Sequence, residues 1–122
     1  MEKENQNLVC YPLIKAHLYF AVLCSFIVVV AGLTYSMQFI DLYPFPRIEW
    51  LSPGRVRMIH TQAVAYAWIA NIFFAILLYM LPKLTQKPIL SEKFGWFCFY
   101  VYNTLILLTV VLILGGYAQA LE

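Results

Sequence analysis

The sequence predicts an all-α integral membrane protein with three transmembrane helices. Only 11% of its 122 residues are charged and 63% are hydrophobic, whereas about a quarter of the residues in a soluble domain are charged. Positions 16–40, 58–82 and 94–121 contain no Asp, Glu, Lys or Arg. Each of these runs exceeds the roughly 20 residues that cross a hydrocarbon core. The pattern excludes a soluble enzyme, a nucleic-acid-binding protein and a disulfide-stabilised secreted module.

The first transmembrane helix is expected at 14–40, after a cytoplasmic tail at 1–13. The tail has no basic start and no small-residue cleavage site, so we expect this helix to be retained. Orientation follows from basic residues near the helix ends. Five lysines lie in or beside the tail and the 83–93 loop, whereas the loop between the first two helices has three arginines: Lys3, Lys15, Lys83, Lys87, Lys93 against Arg47, Arg55, Arg57. The bias predicts that the N-terminus lies inside.

The remaining elements follow from turn and capping residues. The outer loop, 41–52, is rich in proline and aromatic residues, which are typical of the membrane–water interface. Ser52 followed by Pro53 predicts the start of a second transmembrane helix at 53–82. An inner loop at 83–91 then leads to a third helix at 92–119, opened by Ser91, with 120–122 at the outer end. The three cysteines form no Cys-x-x-Cys pair, and we expect them to pack.

The second helix carries the candidate chemistry. His60 lies three residues inside the uncharged run, near the outer interface. Ala63 and Ala67 follow on a similar face, so they could leave a trough for a flat macrocycle beside the imidazole. Arg57 and Arg55 lie nearer the water, where the anionic propionates of a haem need neutralising. Because imidazole nitrogen is a standard axial ligand of haem iron, this helix is a haem-ligand candidate.

Each of these residues also has a simpler interpretation. Ala63 and Ala67 form a small-xxx-small pair, which is the common device for close packing of membrane helices. Arg55 and Arg57 could contact lipid headgroups at the interface. His60 could donate a hydrogen bond to a neighbouring helix. The residues alone leave these alternatives open.

Other polar residues in the uncharged runs are expected to have structural roles. His17, the second histidine, lies at the inner end of the first helix, where polar residues are tolerated. If the helices span as predicted, His17 and His60 are separated by most of a bilayer and cannot share an iron. Asn71, Asn103 and Thr104 are predicted to form interhelical hydrogen bonds.

The stretch Gly54-Arg-Val-Arg-Met-Ile-His-Thr-Gln-Ala-Val-Ala-Tyr-Ala resembles the second transmembrane helix in the catalytic subunit of haem-copper oxidases. The pattern is most similar to that of the C-type (cbb-type) cytochrome c oxidases, Gly-Arg-Leu-Arg-Pro-Leu-His-Thr-Asn-Ala-Val. Met58 and Gln62 replace the Pro and Asn of that pattern. The resemblance extends over essentially the whole chain and is specific from about position 54. Nitric oxide reductases share its Arg-x-x-His-Thr core.

This resemblance implies that the three helices are part of a larger haem-copper oxidase helix bundle. His60 would be an axial ligand of low-spin haem b, and Arg57 would contact the propionates. Glu122 would be a calcium ligand near those propionates. No residue of the chain is expected to be catalytic, so the chain would not be an enzyme alone.

We therefore expect a split or truncated N-terminal part of a cbb-type catalytic subunit in the bacterial cytoplasmic (inner) membrane. A larger partner would supply the remaining helices, the second axial ligand, copper and the high-spin haem. Cytochrome c-type subunits would donate electrons for the reduction of oxygen to water, coupled to proton translocation. Two alternatives remain open: the same role in a nitric oxide reductase, and a haem-free accessory or assembly subunit.

Overall fold

The computed structural model describes residues 8–118, and within them the fold is all-helical. Three helices are long and apolar enough to cross a membrane: Tyr11–Ile40, Pro53–Thr85 and Glu92–Leu114. We refer to them as the first, second and third spans. The prediction of an all-α membrane protein with three spans is confirmed.

The first span consists of α1, Tyr11–Ser36, and a short 3-10 turn, Met37–Ile40. It begins three residues earlier than expected because Pro12 fits the first turn of a helix, where its missing N–H costs no hydrogen bond. The span ends at Asp41, whose backbone is left-handed, with φ 56°. A 3-10 turn at Glu49–Leu51 completes the outer loop.

The second span is continuous but changes its winding. It consists of α2, Pro53–Gln62, a π-helical segment, Ala63–Ile69, and α3, Ala70–Thr85. Ser52 occupies the N-cap position, as expected, but its side chain makes no cap hydrogen bond. The helix α3 continues through Pro82 and ends at Thr85, three residues past its expected end.

The third span, α4, covers Glu92–Leu114, and the Ser91 side chain accepts a hydrogen bond from the backbone N–H of Phe94. The helix ends five residues earlier than the expected position 119. Gly116 adopts φ +80°, a left-handed conformation that terminates helices and that suits glycine. The proposed calcium ligand Glu122 lies outside the described residues.

The core lies between the first and second spans. Cys24 and Val28 of α1 pack against Ala63 and Ala67, while Phe20, Val64, Trp68 and Ile106 flank this cluster. A second cluster joins Ile14 to Ala75 further along the bundle. The third span packs less extensively against the other two. Large apolar side chains on the first span, such as Phe26 at 68% exposed, face outward. This outer surface suits lipid or further helices.

Candidate functional site

His60 lies near the C-terminal end of α2, and its half-buried ring turns toward α1. Its Nδ1 is 2.9 Å from the carbonyl oxygen of Val28. A carbonyl oxygen can only accept, so Nδ1 must carry the proton and donate it. Nε2 has no hydrogen-bond partner among residues 8–118, and in the neutral ring it presents a lone pair. Metal-ligating histidines commonly have this arrangement, with one nitrogen donating to a carbonyl and the other left for the metal.

Gly32, one turn after Val28 on α1, makes room for the His60 ring. A Cβ atom built on Gly32 would lie 2.7 Å from Cε1 and 2.9 Å from Nδ1 of His60. Both distances are shorter than real Cβ contacts, so only glycine accommodates the ring in this position. Sequence reasoning missed the link between these residues, because 28 positions separate Gly32 from His60.

The structure places Ala63 and Ala67 against α1. They are only 7% and 2% exposed, and they pack with Cys24 and Val28. Of the two uses that the sequence left open, the structure therefore shows the helix-packing one. The expected macrocycle trough along these two alanines is taken up by α1.

The π-helical segment keeps this packing stripe facing α1. Buried residues recur every four positions, at Ala63, Ala67, Asn71 and Ala75. In a regular α-helix, three steps of four residues would rotate the stripe by about 120° beyond three full turns. A π-helical turn, with i→i+5 hydrogen bonds, contains more residues and so reduces this drift. A helical wheel drawn with a constant rotation per residue therefore does not predict accurately which residues after Gln62 share a face.

The two arginines differ in their contacts. Arg55 donates from Nη1 to the carbonyl oxygens of Glu49, at 3.0 Å, and Leu114, at 3.1 Å. Its Nη2 forms an ion pair with the Glu49 carboxylate at 3.3 Å. Arg55 thus joins the outer loop to the end of α4 and is already engaged. Arg57 is exposed, one turn outward from His60, so its charge is available to an anionic group.

His17 lies far from His60 and is partnered within the bundle. Its Nδ1 is 2.7 Å from Oδ1 of Asn71, whose Nδ2 donates to Asn103 Oδ1 at 2.9 Å. His17 is only 5% exposed, so its ring is buried between the helices. The interhelical hydrogen bonds expected for Asn71 and Asn103 are present, whereas Thr104 is exposed. Along α1, His17 and Val28 are about 17 Å apart at 1.5 Å per residue, which separates the two histidines.

Two apolar cavities of about 420 Å³ and 460 Å³ lie between the helices. The first includes His17, Phe74 and Phe99, and the second lies near Val56 and Ile59. His60 lines neither of them. Within residues 8–118, no group of three or more His, Cys, Asp or Glu residues could hold a metal ion.

Comparison with known proteins identifies related sequences. The family model for cytochrome c and quinol oxidase polypeptide I matches residues 12–122. A cytochrome c oxidase subunit 1 homolog of Agrobacterium tumefaciens is 26% identical over 109 residues, which cover 89% of this chain and 19% of that protein. A bacteroid homolog of Bradyrhizobium diazoefficiens is 32% identical over 75 residues, covering 62% of this chain and 14% of the relative.

A third relative is a Cbb3-type cytochrome c oxidase subunit CcoN1 of Stutzerimonas stutzeri. It is 29% identical over 82 residues, which cover 66% of this chain and 17% of that protein. This chain therefore spans less than a fifth of the length of the curated relatives described here. No solved structure matches it significantly.

Proposed function

This chain belongs to the family of cytochrome c and quinol oxidase polypeptide I, and we propose that it supplies His60 as one axial ligand to a low-spin haem b. The observation that carries the proposal is the environment of the imidazole. Nδ1 donates to the Val28 carbonyl, which leaves the Nε2 lone pair without a partner among the described residues. Neutral imidazole with this tautomer is ready to ligate iron.

Arg57 is the residue proposed to neutralise the haem propionates. It is exposed and one turn closer to the outer loop than His60, so its charge is available to the carboxylates of a haem held by His60. Guanidinium pairs well with carboxylates through parallel hydrogen bonds. Arg55 is less suited to this task, because its guanidinium already binds Glu49 and the Leu114 carbonyl.

A bound haem supplies one-electron redox chemistry, and this chain would contribute to its binding and electrostatics. His60 would fix one face of the iron, and Arg57 would add positive charge at the outer edge. The three spans would hold both residues at a defined depth in the bilayer. These roles require another polypeptide segment for the second axial ligand, because His17 lies about 17 Å along α1 from Val28, the residue that contacts His60.

The proposed assembly is a cbb-type cytochrome c oxidase in the bacterial inner membrane, with the N-terminus of this chain inside. A larger partner would carry the remaining helices together with copper and the high-spin haem. Cytochrome c-type subunits would donate the electrons, and oxygen reduction would be coupled to proton translocation. The proposal includes calcium at the propionates, with Glu122, which lies outside the described residues, as a ligand.

The test replaces His60 by alanine in the assembled complex and records the reduced-minus-oxidised spectrum of haem b in membranes. We expect the low-spin band to disappear while the complex still assembles. His17→Ala is the matched control, since it removes the other histidine far from the proposed iron, and it should keep the band. An unchanged low-spin band in His60→Ala membranes would refute haem ligation and leave the haem-free accessory subunit.

A second experiment separates the roles of the two arginines. Arg57→Gln should lower the midpoint potential of the low-spin haem, because a nearby positive charge favours the reduced form. Arg55→Gln should change the potential less and weaken the outer end of the bundle instead. Redox titration followed at the low-spin band measures both variants. Equal potentials in Arg57→Gln and the parent would remove Arg57 from the proposed site.

A further inference from the structure

We infer that α1 positions the proposed ligand. Gly32, which has no side chain, leaves room for the His60 ring in its observed orientation. The Val28 carbonyl determines which ring nitrogen of His60 carries the proton. This inference rests on the proposed function, since it assigns a role to α1 in tuning that same ligand. Neither Gly32 nor Val28 would touch the iron. They act through the imidazole and are therefore positioning residues.

Gly32 leaves the space that the His60 ring occupies. The Cε1 and Nδ1 atoms of His60 lie 2.7 Å and 2.9 Å from the place where a Cβ on Gly32 would be. An alanine there would push the ring away, because contacts this short do not occur. The clash would be with an imidazole that packing and a hydrogen bond hold in place. Movement of the ring would therefore lengthen the bond from Nδ1 to the Val28 carbonyl.

The Val28 carbonyl determines which ring nitrogen of His60 carries the proton. The Val28 carbonyl, 2.9 Å from Nδ1, requires the proton on that nitrogen. In a neutral ring this selects the tautomer that leaves Nε2 as the ligand atom. A hydrogen bond from the far nitrogen also raises the basicity of a ligating imidazole. A more basic ligand stabilises ferric iron more than ferrous iron, so this bond should lower the midpoint potential.

Close packing of the first two spans holds the Val28 carbonyl in place. Val28 is only 2% exposed and belongs to the cluster formed with Cys24, Ala63 and Ala67. This packing begins three residues after His60 and joins the same two helices. The carbonyl is therefore held at a defined place relative to the second span. The close packing of the alanines, which occupies the expected trough, therefore fixes the position of the Val28 carbonyl, which accepts the hydrogen bond from Nδ1.

The test uses Gly32→Ala in the assembled complex, with Gly54→Ala as the matched control. Gly54 also lies near the outer end of the bundle, but an added Cβ would meet no atom within 4 Å. We expect Gly32→Ala to raise the midpoint potential of the low-spin haem and to change its electron paramagnetic resonance spectrum. A tenfold change in the ferrous-to-ferric ratio, the effect expected for losing this bond, corresponds to about 59 mV. Gly54→Ala should match the parent in both measurements.

A second measurement does not depend on haem, so it can be made even if the Gly32→Ala complex fails to assemble. The chain has two histidines, so nitrogen-15 labelling of histidine followed by solid-state NMR of the full chain in lipid bilayers resolves their ring nitrogens. We expect the neutral His60 ring to carry its proton on Nδ1 in the parent and in Gly54→Ala. In Gly32→Ala we expect this preference to be lost.

The outcomes distinguish the two proposals. A His60 ring protonated on Nε2 in the parent chain would overturn the positioning role. A Gly32→Ala complex with the parent's potential and resonance spectrum would overturn it too, even if His60→Ala still removes the low-spin band. If His60→Ala leaves that band unchanged, haem ligation fails, while the NMR result still reports whether Val28 and Gly32 hold the ring.

Discussion

The hydrogen-bonded cluster of His17, Asn71 and Asn103 joins all three spans, so replacing Asn71 by alanine should loosen the whole bundle. Asn71 is fully buried, and its Nδ2 donates to Asn103 Oδ1 and to the Ala67 carbonyl, each at 2.9 Å. Since Nδ2 makes both of these donations, the carbonyl oxygen Oδ1 accepts a hydrogen bond from the Nδ1–H of His17 at 2.7 Å. Asn71→Ala removes two interhelical hydrogen bonds and leaves polar atoms of His17 and Asn103 without these partners.

The magnitude follows from those contacts. An interhelical hydrogen bond in a membrane protein contributes about 0.6 kcal/mol on average and about 1.7 kcal/mol at most. A buried polar group that loses its partner costs about 1–3 kcal/mol. We therefore expect Asn71→Ala to lower the free energy of unfolding by about 2–4 kcal/mol. Asn103→Ala breaks one interhelical bond and leaves the other, so it should cost about half as much.

The assay is unfolding of the full chain in mixed micelles with increasing sodium dodecyl sulfate, followed by far-ultraviolet circular dichroism. Thr104→Ala is the matched control, because Thr104 follows Asn103 on the same helix but is exposed; it should stay within about 0.5 kcal/mol of the parent. The expected order of destabilisation is Asn71→Ala, then Asn103→Ala, then Thr104→Ala. If Asn71→Ala is no less stable than Thr104→Ala, the cluster does not join the spans as described.

The same unfolding assay tests three further features. Arg55→Gln should cost about 1–3 kcal/mol, because it loses the charged hydrogen bonds to Glu49 and the Leu114 carbonyl; parent-like stability would contradict this. Gly116→Ala should cost about 1–2 kcal/mol, since φ +80° strains any residue with a Cβ, and an unchanged midpoint would show that the end of α4 has another conformation. Burial raises the pKa of the Tyr43 phenol, so the folded state disfavours its ionised form. Stability should then fall as pH rises above the ordinary tyrosine pKa of about 10, and it should fall less in Tyr43→Phe; parallel pH curves would refute the effect.

The sequence by itself determined the number and approximate position of the spans. Runs of uncharged residues reveal a membrane helix because charged groups are costly in hydrocarbon, whatever the neighbouring helices are. The same reasoning identified His60 and Arg57 as candidates, since it concerns only their depth relative to the interface. It also predicted interhelical hydrogen bonds for Asn71 and Asn103, because an amide inside a membrane needs a partner.

Only the tertiary structure decided which surfaces meet. Ala63 and Ala67 could face a macrocycle or a helix, and the structure places them against α1. The pairing of Gly32 with His60 and the bond from Arg55 to Leu114 join residues far apart in the chain, where helical periodicity carries no information. The physical reason lies in the solvent: lipid is as apolar as most helix surfaces, so hydrophobicity alone does not indicate which face packs. Shape and hydrogen bonding make that choice, and both depend on the assembled bundle.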